Sequence, residues 1–491
     1  MTGRIQSQGV TASPRALSEL ASLLCCPTCD KRKPTLSEAA ESLECSRCNT
    51  NFPIYTSGHA SIPWLFPDPQ STLLEWKARL NGFLQMNSSE QARLGDALAG
   101  TRADGIGGRR IKHSLNARRV HRTQIAELLA PLGLDGIDFA SAGDRAGLLR
   151  SKLPKNQGLS SYYDNIFRDW TWNNGENEHL FEAVQSVLKY DTRPQLGKIL
   201  TLGAGACRLS YDIHRSYSPD LSVVLDLNPL LLFLASRVIQ GEATALYEFP
   251  IAPLDSASFA VLQECIAPEA IDLGSPGGFL FVLANAMHPP FAAASFDTVL
   301  TPWLIDIIPQ DLRDFIARVN QLLNKGGVWV NTGSLAFFHA NEAWCYSKEE
   351  VLELLEENGF EVLSATRRTA PYLQSPLSAH GRTESTFSFS ARKINHTAKR
   401  PRYEYLPKWI VEPDRPIPEF TEFVVASSNH LLQAQVLGAI DGKRSIEEIG
   451  KLFAKQYGLQ ISEATHAVMR ILVDEYEGTL GQGSPQGDGV A

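Results

Sequence analysis

A chain of 491 residues with 43% hydrophobic and 20% charged side chains is too long for one ordinary core, and its length predicts two to four domains. No apolar run is long enough to span a bilayer, because Pro289, Pro290 and scattered polar groups interrupt the longest candidates, and a net charge of −8 leaves no general nucleic-acid footprint. The opening residues lack the apolar stretch of a secretory signal, so the expectation is a protein of the reducing cytoplasm.

Five of the eight cysteines lie between Cys25 and Cys48. "CPTC" (Cys26, Cys29) and "CSRC" (Cys45, Cys48) form two knuckles with fifteen residues between them. Four thiolates so spaced close a tetrahedral zinc site, which replaces the core that so short a segment cannot build. A redox dithiol explains one such pair but not two together. Cys26 rather than Cys25 keeps the regular spacing. With the aromatic-Pro-Ile run and the Ile-Pro close that follow, residues 20–69 resemble the zinc-ribbon activator subunits of tRNA and release-factor methyltransferases. That resemblance implies a structural zinc and a docking module over residues 1–69.

Residues 70–190 read as a mainly helical cap or lid, broken at "GTRADGIGG" and "LPKNQG". "GGRRIKHSLNARRVHR" (107–122) is locally basic, either a solvated helical face or a contact for an acidic ligand. In "YYDNIFRDWTWNNGENEHLFEAV" aromatic residues interleave with Arg168, Asp169 and several amides, as in a packed helix or in a lid that touches a ligand.

Over residues 191–396 strand candidates ("KILTLG", "SVVLDL", "FDTVLTPW", "GVWVNTG", "FSFSARK") alternate with helix candidates, which predicts an α/β domain with a mainly parallel sheet. After the first strand, Gly203-Ala204-Gly205 lets the backbone approach a ligand closely, although Cys207 stands where a dinucleotide loop has its third glycine. Asp226 ends the next strand, where a carboxylate can accept both hydroxyls of a ribose. Asn285-Ala286, Pro290-Phe291 and Ser295-Phe296-Asp297 follow in order, and together these elements resemble the class I S-adenosylmethionine-dependent methyltransferases. The resemblance implies a Rossmann-like sheet holding S-adenosylmethionine through Gly203, Gly205, Asp226, Asn285 and Ala286. A sulfonium cofactor without phosphate does not need the missing glycine.

Residues 160–393 are more closely similar to the carnosine N-methyltransferase family, through "FRDWT", "GAGACRLSYDI", "WLIDII", "KGGVWVNTGSLAFF" and "YSKEEVLELLEENGFEV". The resemblance implies that Asp306 contacts the imidazole of the acceptor, with Arg168 and Asp169 also on the acceptor side. Asp306 reads alternatively as a helix N-cap. Trp303, Phe337 and Phe338 read as aromatic walls or as core. Phe337-Phe338 stand where the family tends to place Tyr-His, which loosens the tie to carnosine itself.

A basic, proline-punctuated linker (397–417) leads to a module at 418–477 with three helical patterns, and the Gly-rich tail 478–491 reads as disordered. The module resembles PqqD-like peptide-binding domains, which implies a winged-helix-like fold that takes a leader peptide as an added strand. A helical lid or a dimerisation element fits it equally. The function expected is methyl transfer to an imidazole or similar nitrogen of a histidine-containing small molecule or peptide. The other class in play is a non-catalytic scaffold that recruits partners through ribbon and module.

Overall fold

A computed structural model describes residues 14–30, 33–36, 41–133, 158–273, 278–337, 339, 342–398, 408, 414–419 and 421–481. Phe338, most of the linker and the last ten residues of the tail lie outside them. The chain divides into two units, residues 1–399 and 400–491.

The first unit begins with helix α1 (Pro14–Leu23) and a small antiparallel sheet of β1 (Thr35–Leu36), β2 (Ser42–Glu44), β3 (Asn51–Ser57) and β4 (Ala60–Pro63). Helices α2 (Pro69–Ala99, with Pro at its first turn), α3 (Ile106–Leu128), α4 (Tyr163–Trp170) and α5 (Glu176–Leu188) follow. Then come β5 (Lys198–Leu202), α6 (Arg208–Tyr217), β6 (Leu221–Asp226), α7 (Pro229–Ile239), the hairpin of β7 (Thr244–Glu248) with β8 (Val261–Cys265), and β9 (Phe279–Leu283). The unit finishes with β10 (Phe296–Pro302), α8 (Leu312–Leu322), β11 (Leu323–Gly333), α9 (Lys348–Glu357), β12 (Phe360–Tyr372) and β13 (Arg382–Lys393).

Seven strands form one sheet in the order β12-β13-β11-β10-β5-β6-β9, parallel except for β13. β6 and β9 are buried at every residue, as strands covered on both faces must be, and they read as unbroken apolar runs. Alternate residues divide between two cores. Leu200, Leu202, Val223, Leu225 and Val282 pack with α8 and with Leu20, Leu24, Phe52 and Leu65 of the N-terminal segment. Ile199, Val224, Phe279 and Phe281 face the other way, toward α5 or α7. The expected cap therefore separates into parts. α5 places Val184, Val187 and Leu188 against Ile199 and Val330, so it is a covering helix of the sheet rather than a lid.

The N-terminal segment abuts the β9 edge of the sheet. Trp64 makes a parallel bridge to Leu283 of edge strand β9, Leu65 N donates to Leu283 O at 2.7 Å, and Leu24 bridges Phe291. An edge strand left open is a pairing liability, and the ribbon covers this one.

The second unit holds α10 (Thr421–Gly438), α11 (Ile446–Tyr457) and α12 (Ile461–Gly481) around Val436, Ile449, Phe453, Ala464 and Val468. The Ser445/Glu448 capping box starts α11, as the sequence predicts. Its described residues contain no strand, so they supply neither a wing nor a sheet edge for a peptide.

Candidate cofactor and acceptor site

Strand order reverses between β5 and β10, and in open α/β sheets the ligand crevice lies outside the carboxyl ends of the strands at that point. Gly203 (φ +68°) and Gly205 (φ +57°) turn the chain after β5, and a Cβ on Gly203 would come within 3.0 Å of Leu304. Asp226, at the carboxyl end of β6, accepts from the amide of Gly205 at 2.8 Å and from that of Asn228 at 2.9 Å. Burial pushes its carboxyl up to about 6, against the pull of those amides. Cys207 is buried at φ +70° as the residue before α6. A side chain thus occupies a left-handed backbone position at the end of the glycine turn.

The loop after β9 carries Asn285, whose side-chain oxygen accepts from the amide of Met287 at 2.9 Å, and buried Ala286. The ribbon holds this loop at both ends, through Leu65 N to Leu283 O at one and through Cys25 N to Pro290 O (2.9 Å) and Ala292 N to Leu23 O (2.8 Å) at the other.

Asp306 lies in the turn after β10, half-buried, with the Ala336 amide and the Ser334 hydroxyl as partners. Burial pushes its carboxyl up to about 6. The N-cap reading of Asp306 gives way, because α8 starts later and Asp311 caps it, accepting from the Arg313 amide. Arg168 and Asp169 are both buried and paired at 2.7 Å, and Asn177 donates to both of their carbonyls. Arg168 lines an open cleft with Glu176, Trp303, Tyr372 and Thr386. The Trp303 and Tyr372 ring centres lie 4.4 Å apart. Phe337 instead packs on the core beside Tyr346.

Sequence reasoning missed Tyr372 and Glu176. Glu176 accepts from the amides of Leu373 (2.9 Å) and Gln374 (2.7 Å), and Glu248 accepts from Trp172 (3.1 Å), Gln263 (2.8 Å) and the Ser375 hydroxyl. These two buried carboxylates fasten the β12–β13 connection above the cleft wall that Tyr372 forms. Their only sequence signal is an acidic residue placed among aromatics and apolar strand residues.

In the ribbon the four thiols of Cys26, Cys29, Cys45 and Cys48 lie within 4.8 Å of one another, with 3.7 Å from Cys26 to Cys48 and from Cys29 to Cys45. Tetrahedral zinc with bonds of about 2.3 Å requires sulfurs about 3.8 Å apart, so these residues fit that ion. Cys25 lies outside the cluster.

The sheet is an open, mainly parallel α/β sheet with its crevice at the β5/β10 switch point. Residues 261–394 match the family model described as carnosine N-methyltransferase, a span that includes Asn285, Ala286, Asp306 and Tyr372. A curated relative, the carnosine N-methyltransferase of Dictyostelium discoideum, is 20% identical over 235 residues, covering 44% of this chain and 50% of that protein. The chain thus spans about half the length of the curated relative it matches. Among solved structures, a SAM-dependent methyltransferase from Methanosarcina mazei has TM-score 0.29 at 14% identity, covering 42% of this chain and 96% of that one. A chain from the complex between the Haloferax volcanii Trm112 methyltransferase activator and a methyltransferase has TM-score 0.32 at 13% identity, covering 49% and 100%. No helix among the described residues is long and apolar enough to cross a membrane.

Proposed function

We propose that the protein is an S-adenosylmethionine-dependent methyltransferase that methylates an imidazole nitrogen of a histidine-containing acceptor. The observation that carries this reading is the placement of buried Asp226, half-buried Asp306 and the Gly203–Gly205 turn after the carboxyl ends of three adjacent strands, β6, β10 and β5. When bound, the cofactor supplies an electrophilic methyl group on sulfur. Gly203 and Gly205 leave room for it, Asp226 accepts the ribose hydroxyls, and Asn285 with Ala286 meets the adenine.

Asp306 acts on the acceptor. A carboxylate that accepts the N–H of a neutral imidazole fixes its tautomer and turns the lone pair of the other nitrogen toward the methyl group. The ring becomes cationic, and Asp306 faces the N–H whose charge develops. Cys26, Cys29, Cys45 and Cys48 hold a structural zinc that keeps the ribbon folded.

A labelled-methyl screen over histidine dipeptides, free histidine and candidate precursor peptides tests the reading. Transfer to ring nitrogen is expected. Transfer only to oxygen or carbon acceptors, or no binding of S-adenosylmethionine by calorimetry, would overturn it.

A further inference from the structure

His288 stands in the loop after β9, shortly beyond Asn285. The residue is half-buried, yet both of its ring nitrogens are buried, and neither has a hydrogen-bond partner among the described residues. A neutral imidazole carries an N–H on one nitrogen and a lone pair on the other, and each is costly to bury unpaired.

The backbone fixes where this ring stands. Ala284 N donates to Asp226 O at 3.0 Å, so the loop leaves the sheet beside the acid assigned to the ribose. His288 N donates to Asn285 O at 2.8 Å and closes a turn over residues 285–288. Pro289 follows, which keeps His288 out of the helical region, and the carbonyl of Pro290 accepts from Cys25 N of the ribbon at 2.9 Å. Bonds on both sides of His288 use only backbone atoms and leave the ring uncommitted. It is held at the corner of the crevice to which Asp226 and Asn285 belong.

Asn285 does not meet every need of an adenine there. The exocyclic amino group of that base donates and needs an acceptor. Asn285 turns its side-chain oxygen to the Met287 amide at 2.9 Å, and the other end of its carboxamide only donates. A donor suits a ring nitrogen of the base but not its amino group. We infer that a ring nitrogen of His288 accepts from the exocyclic amino group of the cofactor's adenine and makes the site selective for that group. The inference rests on the S-adenosylmethionine reading above. His288 touches no reacting atom, so its role is recognition of the cofactor and not chemistry.

The test is calorimetry on the full chain with S-adenosylhomocysteine and with its deamino analogue, in which hydrogen replaces the amino group. The two ligands share ribose and amino acid, so Asp226 and the glycine turn cancel in the ratio of their Kd values. Wild type should favour the amino ligand by about 5- to 150-fold, the cost of leaving a buried acceptor unpaired. His288→Leu should bring the ratio close to one, and His288→Asn, which keeps an acceptor, should restore part of it. A second readout uses wild type labelled at histidine nitrogen. The ring resonance that His288→Asn removes should differ between the two complexes. The same Kd ratio in wild type and in His288→Leu overturns the inference and leaves the cofactor assignment standing. Should the leucine variant misfold, an identical ring resonance in both wild-type complexes overturns it instead. No binding of either ligand to wild type overturns both readings.

Discussion

Cys207 holds a left-handed backbone conformation that a glycine would adopt without strain. At φ +70° a side chain costs about 1–2 kcal/mol relative to the right-handed region, and glycine does not pay that cost. Cys207→Ala and Cys207→Gly both remove the buried sulfur, but only the second relieves the backbone. The glycine variant should be more stable than the alanine variant by about 1 kcal/mol in urea titrations, reversing the usual order. Asp226 carries a different strain. Its folded carboxyl stands near 6 instead of 3.8, so between those values the native state binds more protons than the unfolded one. Stability is therefore lost as pH rises through 6. Asp226→Asn escapes that loss, and its stability relative to wild type should be higher at pH 8 than at pH 5 by up to about 1.4 kcal/mol, the part of the shift that lies above pH 5. The same variant should bind S-adenosylmethionine about 10- to 150-fold more weakly by calorimetry. At Asp306, protonation near pH 6 coincides with protonation of a free imidazole near 6.5. Below pH 6, log kcat/KM should fall with a slope approaching two, and Asp306→Asn, about a hundredfold slower, should fall with a slope of one.

Strands β5, β6, β10 and β11 are legible because they are buried on both faces and the chain writes them as apolar runs between turn residues. β12 is not. Its pattern "FEVLSATRRTAPY" is polar and partly exposed through most of its length, and pairing with β13 rather than burial holds it in place. Tyr372 lies at the end of that strand and meets Trp303 across nearly seventy residues, a juxtaposition that no local pattern encodes. The knuckles are legible, but the surface on which the segment docks is not, because Leu20, Leu24, Phe52 and Leu65 read as a small local core and nothing local shows that they share the core of the sheet. That contact has a consequence for the cofactor. Cys25, next to Cys26 of the thiol cluster, and Leu65, just beyond β4, grip opposite ends of the loop that presents Asn285. Stripping zinc with a strong chelator, or substituting Cys45→Ser, should weaken S-adenosylmethionine binding at least about tenfold, and added zinc should reverse the effect of the chelator. An unchanged Kd in zinc-free protein would mean that the loop stands without the ribbon.

The two units differ greatly in the core each can build. The first has two large clusters on opposite faces of a seven-stranded sheet, and the second has a cluster centred on Val436, Ile449, Phe453, Ala464 and Val468. Small domains bury a smaller fraction of their surface and are correspondingly marginal. The second unit also leaves Val424, Leu431, Ile440, Leu452 and Met469 exposed, side chains that in a better-filled domain would add to its core. Two thermal transitions should therefore appear in calorimetry, the smaller at the lower temperature. All the residues assigned to S-adenosylmethionine lie between 203 and 288, inside the first unit. A ligand at a hundred times its Kd stabilises its own cooperative unit by about 2.7 kcal/mol, which for some 400 residues is a shift of about 3 °C. Saturating cofactor should move the larger transition by that amount and leave the smaller one in place. A shift of the smaller transition alone would mean that the cofactor site belongs to the C-terminal helices, against every residue assigned to it here.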